Sequence, residues 1–146
     1  MLQKKELPPP NPNLPKNADA LLFDIIERMI YSAFKEMKEF SSKKPNEAIS
    51  PIKAASLNKL CEPIKRILKK EPYASFLDLF DIENLPSYSD TILLLVNYQT
   101  AMKHFRASYF GFNKDEIAWF TKENPGVIDE SSQYANEEYY RSSLMW

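Results

Sequence analysis

Residues 18–40 read Ala-Asp-Ala-Leu-Leu-Phe-Asp-Ile-Ile-Glu-Arg-Met-Ile-Tyr-Ser-Ala-Phe-Lys-Glu-Met-Lys-Glu-Phe, the most plainly helical stretch of the chain. Leu21, Leu22, Ile25, Ile26, Met29, Ile30, Ala33, Phe34, Met37 and Phe40 recur at three-to-four spacing and form a broad apolar stripe. Asn17 stands where an N-cap belongs, and Asp19 lies in the first turn, where the helix dipole favours an anion. Asp24 and Arg28 are spaced as an i,i+4 pair on the other side.

The segments downstream carry the same period. Ser50-Pro51 offers a serine cap with proline at the first helical position. Leu57, Leu60, Cys61, Ile64, Ile67 and Leu68 then share one face. Pro63 interrupts the hydrogen-bond ladder there, which fits one kinked helix or two short ones. Pro72 opens a short helix with Tyr73, Phe76, Leu77 and Phe80. Ser87 and Asp90 stand at capping-box spacing before a long helix that should end before Gly111. Within it Thr91, Leu95, Tyr98, Met102, Phe105 and Tyr109 step by four and three, a seam for a neighbouring helix. Asn113 with Glu116, and Phe112 with Ile117, read as a second capping box and a hydrophobic staple, predicting a further helix through Trp119 and Phe120.

Eleven prolines against two glycines support this reading, because tight hairpins usually draw on glycine at positive φ. The expected fold is all-α: a compact bundle of five or six helices over residues 17–126. A Pro-rich extended leader, residues 1–16, precedes it, with Pro9, Pro12 and Pro15 on one face of a polyproline II helix. An acidic, Tyr-rich tail, residues 127–146, follows. Asn97 to Arg106 resembles the second helix of a tetratricopeptide unit, but it has no second copy, and no repeat architecture is expected.

Composition excludes more functions than it suggests. The chain has 146 residues, 44% of them apolar and 13% aromatic, enough for a sizeable core. A net charge of -1 gives no overall attraction to nucleic acid or membrane. The longest apolar run, Ile92 to Val96, is far short of the ~20 residues that cross a bilayer. No secretory signal or Asn-x-Ser/Thr acceptor occurs, and Cys61 has no second cysteine to bond. Cytoplasm or nucleus is the expected compartment.

The residues that carry catalysis are scarce. His104 is the only imidazole and should lie on a solvated helix face; an enzyme would need it beside a carboxylate in a cleft. Cys61 belongs to an apolar stripe, where a thiol behaves as a small hydrophobe. No metal, cofactor or catalytic residue is therefore expected. Ser50-Pro-Ile-Lys53 and Ser56-Leu-Asn-Lys59 match S-x-x-K without the companion motifs of that hydrolase class. Ser50 also has the form of a proline-directed phosphorylation site at a helix start.

Charge is distributed unevenly. Residues 35–71 hold ten basic and five acidic side chains, whereas residues 72–102 hold four acids and no base. Lys59, Lys65, Arg66, Lys69 and Lys70 form a basic face that suits solvent, the acidic segment, an acidic protein or phosphates. The function expected from these features is a non-enzymatic protein–protein interaction subunit of an intracellular hetero-complex. It would bind through an aromatic-rich helix face and through tail anchors Tyr134, Tyr139, Tyr140 and Trp146. A small RNA- or DNA-binding module using the basic face of residues 59–70 is the alternative.

Overall fold

The computed structural model describes residues 12–113 and 115–126. Three α-helices run in order: α1 (Asn17–Lys43), α2 (Pro51–Ile67) and α3 (Tyr88–Tyr109). A single 3₁₀ turn, Pro72–Phe76, lies between α2 and α3. The chain then forms an antiparallel hairpin, β1 (Phe110–Asn113) with β2 (Glu116–Trp119). The expected five or six helices thus reduce to three plus a two-stranded hairpin, in a mostly helical small domain.

Local chemistry explains the helix limits. The Ser50 hydroxyl accepts the Lys53 N–H at 3.2 Å and the Ser87 hydroxyl accepts the Asp90 N–H at 3.1 Å, so both serine caps form as read. Helix α2 continues through Pro63 to Ile67 without a break. Asn17 is the first residue of α1 rather than its cap: its N–H donates to the Glu123 carboxylate at 2.8 Å. A carboxylate from the far end of the domain satisfies a donor that the local sequence leaves open.

The hairpin replaces the last expected helix for a definable reason. Phe112 pairs with Ile117 and Asn113 with Glu116, so the two pairs read as staple and capping box are cross-strand neighbours. Separations of five and three residues fit either geometry, and tertiary contacts decide between them. An isolated two-stranded hairpin is marginal in water. Here Trp119 packs edge-on against Phe23 at 5.2 Å and Phe110 at 5.3 Å, while the Phe120 N–H donates to the Tyr109 carbonyl at 2.7 Å. Gly126 follows with φ 73°, where a Cβ would come within 2.8 Å of the Phe120 ring.

One continuous core lies between the helices. Phe23, Ile26, Ile30 and Met37 from α1 meet Leu57, Cys61 and Ile64 from α2. The α3 seam of Thr91, Leu95, Tyr98, Met102, Phe105 and Tyr109 is buried among them. This seam is filled by the chain's own helices rather than by a partner. Polar groups inside are matched: Thr91 donates to the Ser87 carbonyl at 2.8 Å and Tyr98 to the Asp78 carbonyl at 2.9 Å. The irregular segment after the 3₁₀ turn is pinned by Asn58, whose amide bonds both the N–H and the carbonyl of Phe80. Leu14 and Pro15, ahead of α1, are also buried.

Candidate functional site

Helix α1 is apolar around more of its circumference than two neighbouring helices can cover. The core takes Phe23, Ile26, Ile30 and Met37. Leu21, Ile25 and Met29, one turn apart along the outside, stay 58%, 57% and 51% exposed. The sequence stripe had assigned these three to the interior; burial instead follows the side facing α2 and α3.

On the α3 side, α1 borders a groove of about 710 Å³. Ile30 and Met102, both fully buried, form its floor. Tyr31 and Phe34 stand along one wall, with Lys103 and Gln99 along the other. The aromatic wall is flanked by cations: Lys35 Nζ lies 5.7 Å from the Tyr31 ring and Lys38 Nζ 6.0 Å from the Phe34 ring. Arg28 and Lys103 on the rim form no ion pair among the described residues. An apolar trough edged with positive charge suits an apolar segment that carries carboxylates.

Arg106 closes one end of this groove. Its guanidinium bonds Glu27 at 2.9 Å and also Asp24, and it stacks 4.8 Å from Phe110 and 4.9 Å from Trp119. Burial disfavours its charge, but the hydrogen bonds and charges of Glu27 and Asp24 outweigh that and raise its pKa. The Trp119 indole donates to the other Asp24 oxygen at 3.1 Å. Asp24 therefore does not pair with Arg28 as its spacing had suggested. Its carboxylate holds the hairpin against α1 and α3, which leaves Arg28 in solvent.

Lys53 makes a smaller cluster where α1 ends and α3 begins. Its Nζ lies 4.0 Å from the centre of the Phe40 ring and donates to the Tyr88 hydroxyl at 2.7 Å. This lysine bridges α2 to both other helices and is structural.

The basic face lies on α2 and the turn after it. Lys59, Lys69 and Lys70 are exposed, Lys65 is half-buried, and Arg66 bonds Asp19 at 3.1 Å. The acidic segment does not pair with this face among the described residues. Asp81 instead accepts the N–H groups of Glu83 and Asn84. Ser50 is exposed at the start of α2, its hydroxyl engaged as the cap. The tail residues Tyr134, Tyr139, Tyr140 and Trp146 lie outside the described residues.

His104 is half-buried against Tyr73, with ring centroids 5.8 Å apart, rather than on an open face. The Cys61 thiol is fully buried, and burial pushes its pKa up to about 12, so it is held protonated. Among the described residues no group of three or more His, Cys, Asp or Glu side chains could hold a metal ion. No helix of the described residues is long and apolar enough to cross a membrane.

The groove was not anticipated from the sequence, although one signal for it was present. Tyr31 with Lys35 and Phe34 with Lys38 are i,i+4 ring–cation pairs on one side of α1. The opposite wall depends on how α3 packs. Comparison of the chain with protein-family models, with curated proteins and with solved structures finds no match.

Proposed function

We propose that this chain is a non-enzymatic protein-interaction subunit of an intracellular multiprotein complex, docking through α1. The observation that carries this reading is the outer stripe of α1, where Leu21, Ile25 and Met29 are each more than half exposed. Full burial of one such side chain in an interface contributes ~1.5–3 kcal/mol, and three at helical spacing make a ridge that fits an apolar groove or a second helix. Lysines elsewhere on the surface would set orientation and rate of encounter. The held-down Cys61 thiol gives no support to a nucleophilic role.

Affinity purification of the intact chain beside a Leu21→Glu/Ile25→Glu variant tests this. A defined partner recovered in stoichiometric amount and lost with the double variant supports the reading. Equal recovery by both chains rejects it.

Lys59, Lys69 and Lys70, exposed and without an ion pair among the described residues, favour a second reading, contact with nucleic-acid phosphates. Arg66 is engaged by Asp19, and among the described residues no ring–cation contact involves that face, so such contact would read charge rather than base sequence. A salt series separates the two: phosphate binding weakens by orders of magnitude between about 50 and 200 mM salt.

A further inference from the structure

We propose that residues 127–146 of this same chain are the occupant of the groove between α1 and α3. The inference deepens the interaction reading by giving one of the two α1 surfaces a ligand within the chain.

Three observations converge. First, the groove combines an apolar floor with positive edges, Arg28 and Lys103 among them, and has Tyr31 and Phe34 along one wall. Residues 127–146 carry the complement. Asp129, Glu130, Glu137 and Glu138 stand against a single Arg141, interleaved with Tyr134, Tyr139 and Tyr140 and followed by Leu144, Met145 and Trp146. Rings would cover the floor while carboxylates meet the rim.

Second, the chain leaves the domain at a suitable place. The Lys122 N–H donates to the Pro15 carbonyl at 2.9 Å, and Glu123 caps Asn17. Residues 122–123 therefore lie at the N-terminal end of α1, the end at which Arg106 closes the groove, and the described chain ends three residues later at Gly126, against the Phe120 ring. Helix α1, with 27 residues, is about 40 Å long. Twenty residues reach up to roughly 66–72 Å when extended, so the whole groove is within range.

Third, the other segment of this chain outside the described residues does not match. Residues 1–11 carry Lys4, Lys5 and a run of prolines, with Glu6 their only acid. Their charge is of the same sign as the groove rim. Because both partners belong to one molecule, even weak contacts act at the high effective concentration that a short tether gives.

The test uses the full chain with a nitroxide spin label on Ser142→Cys. Cys61 is buried with its thiol held protonated, so the label attaches at the introduced cysteine. Amide signals of Tyr31, Phe34 and Met102 should broaden in dilute solution, while those of Lys59 on α2 and Lys69 in the turn after it should not. Arg28→Glu with Lys103→Glu should lower the bound fraction several-fold, as expected for two lost charge contacts, with the rest of the spectrum unchanged. Arg28→Lys with Lys103→Arg should retain the broadening. Absence of broadening, or broadening centred on Leu21 and Ile25, overturns the proposal. So does broadening seen when spin-labelled chains are mixed with unlabelled isotope-enriched ones, since the occupant is then a second copy. These signals arise within one purified chain, so their absence is distinct from a failure to capture a partner.

Discussion

Arg106 on α3 donates to Glu27 on α1 through both Nε and Nη2, at 3.3 and 2.9 Å, joining residues 79 positions apart. A planar fork satisfies the carboxylate in two places at once, which an ammonium would not do. The same guanidinium is stacked by Trp119, so one side chain fastens two helices and the hairpin.

Removing Arg106 should therefore cost more than a surface charge. Arg106→Ala leaves Asp24 and Glu27 partly buried without a cation and exposes the Trp119 face. The expected loss is about 2–3 kcal/mol, read from the denaturant midpoint. Arg106→Lys should recover only part of it. A loss under about 0.5 kcal/mol would place this cluster among ordinary surface ion pairs.

Glu123 links acidity to the start of α1. Its pKa is lowered from the ordinary value of 4.5, chiefly by the hydrogen bond from the Asn17 backbone. A carboxylate depressed in the folded state stabilises it fully above the unfolded pKa, and that contribution fades as pH falls through the folded one. Amide exchange at Asn17 should thus be slowest near neutrality, relative to intrinsic rates, and lose protection below about pH 4.5. Glu123→Gln should flatten that profile.

Cys61 should be silent to thiol reagents in the native state. With its thiol buried and its pKa pushed up to about 12, almost no thiolate forms at neutral pH. Labelling should follow unfolding and accelerate with denaturant along the unfolding transition. Rapid labelling in buffer alone would contradict the packing described.

Neighbouring isoleucines on α1 offer a sharp contrast. Ile26 is 4% exposed and Ile25 57% exposed. Ile26→Ala should cost about 2–4 kcal/mol, whereas Ile25→Ala should stay within about 0.5 kcal/mol. If partner binding uses the outer stripe, Ile25→Ala weakens it without touching stability.

That contrast also marks how far sequence reading reaches. Periodicity identified α1, α2 and α3, and serine caps placed the starts of the last two, because those signals are local. It could not choose which part of a very wide apolar stripe faces inward, since Leu21 and Ile25 differ from Ile26 only in what packs beside them. The hairpin was missed because Phe112–Ile117 and Asn113–Glu116 satisfy helix-start and cross-strand geometry alike. Trp119 docking on Phe23 selects the strand, and that contact spans most of the domain. The groove was hidden for the same reason, with one wall on each of two helices. Arg106 seeking Asp24 over Arg28 is likewise a tertiary outcome that no i,i+4 rule contains.

The bond between the Pro15 carbonyl and the Lys122 N–H holds the two ends of the described unit side by side. A domain with adjacent ends can be spliced as a cassette into a surface turn of an unrelated host without prying that turn apart. It can equally be circularly permuted: closing Pro15 to Lys122 through a short linker and opening new ends in the polar stretch between α1 and α2 should leave the same three-helix body.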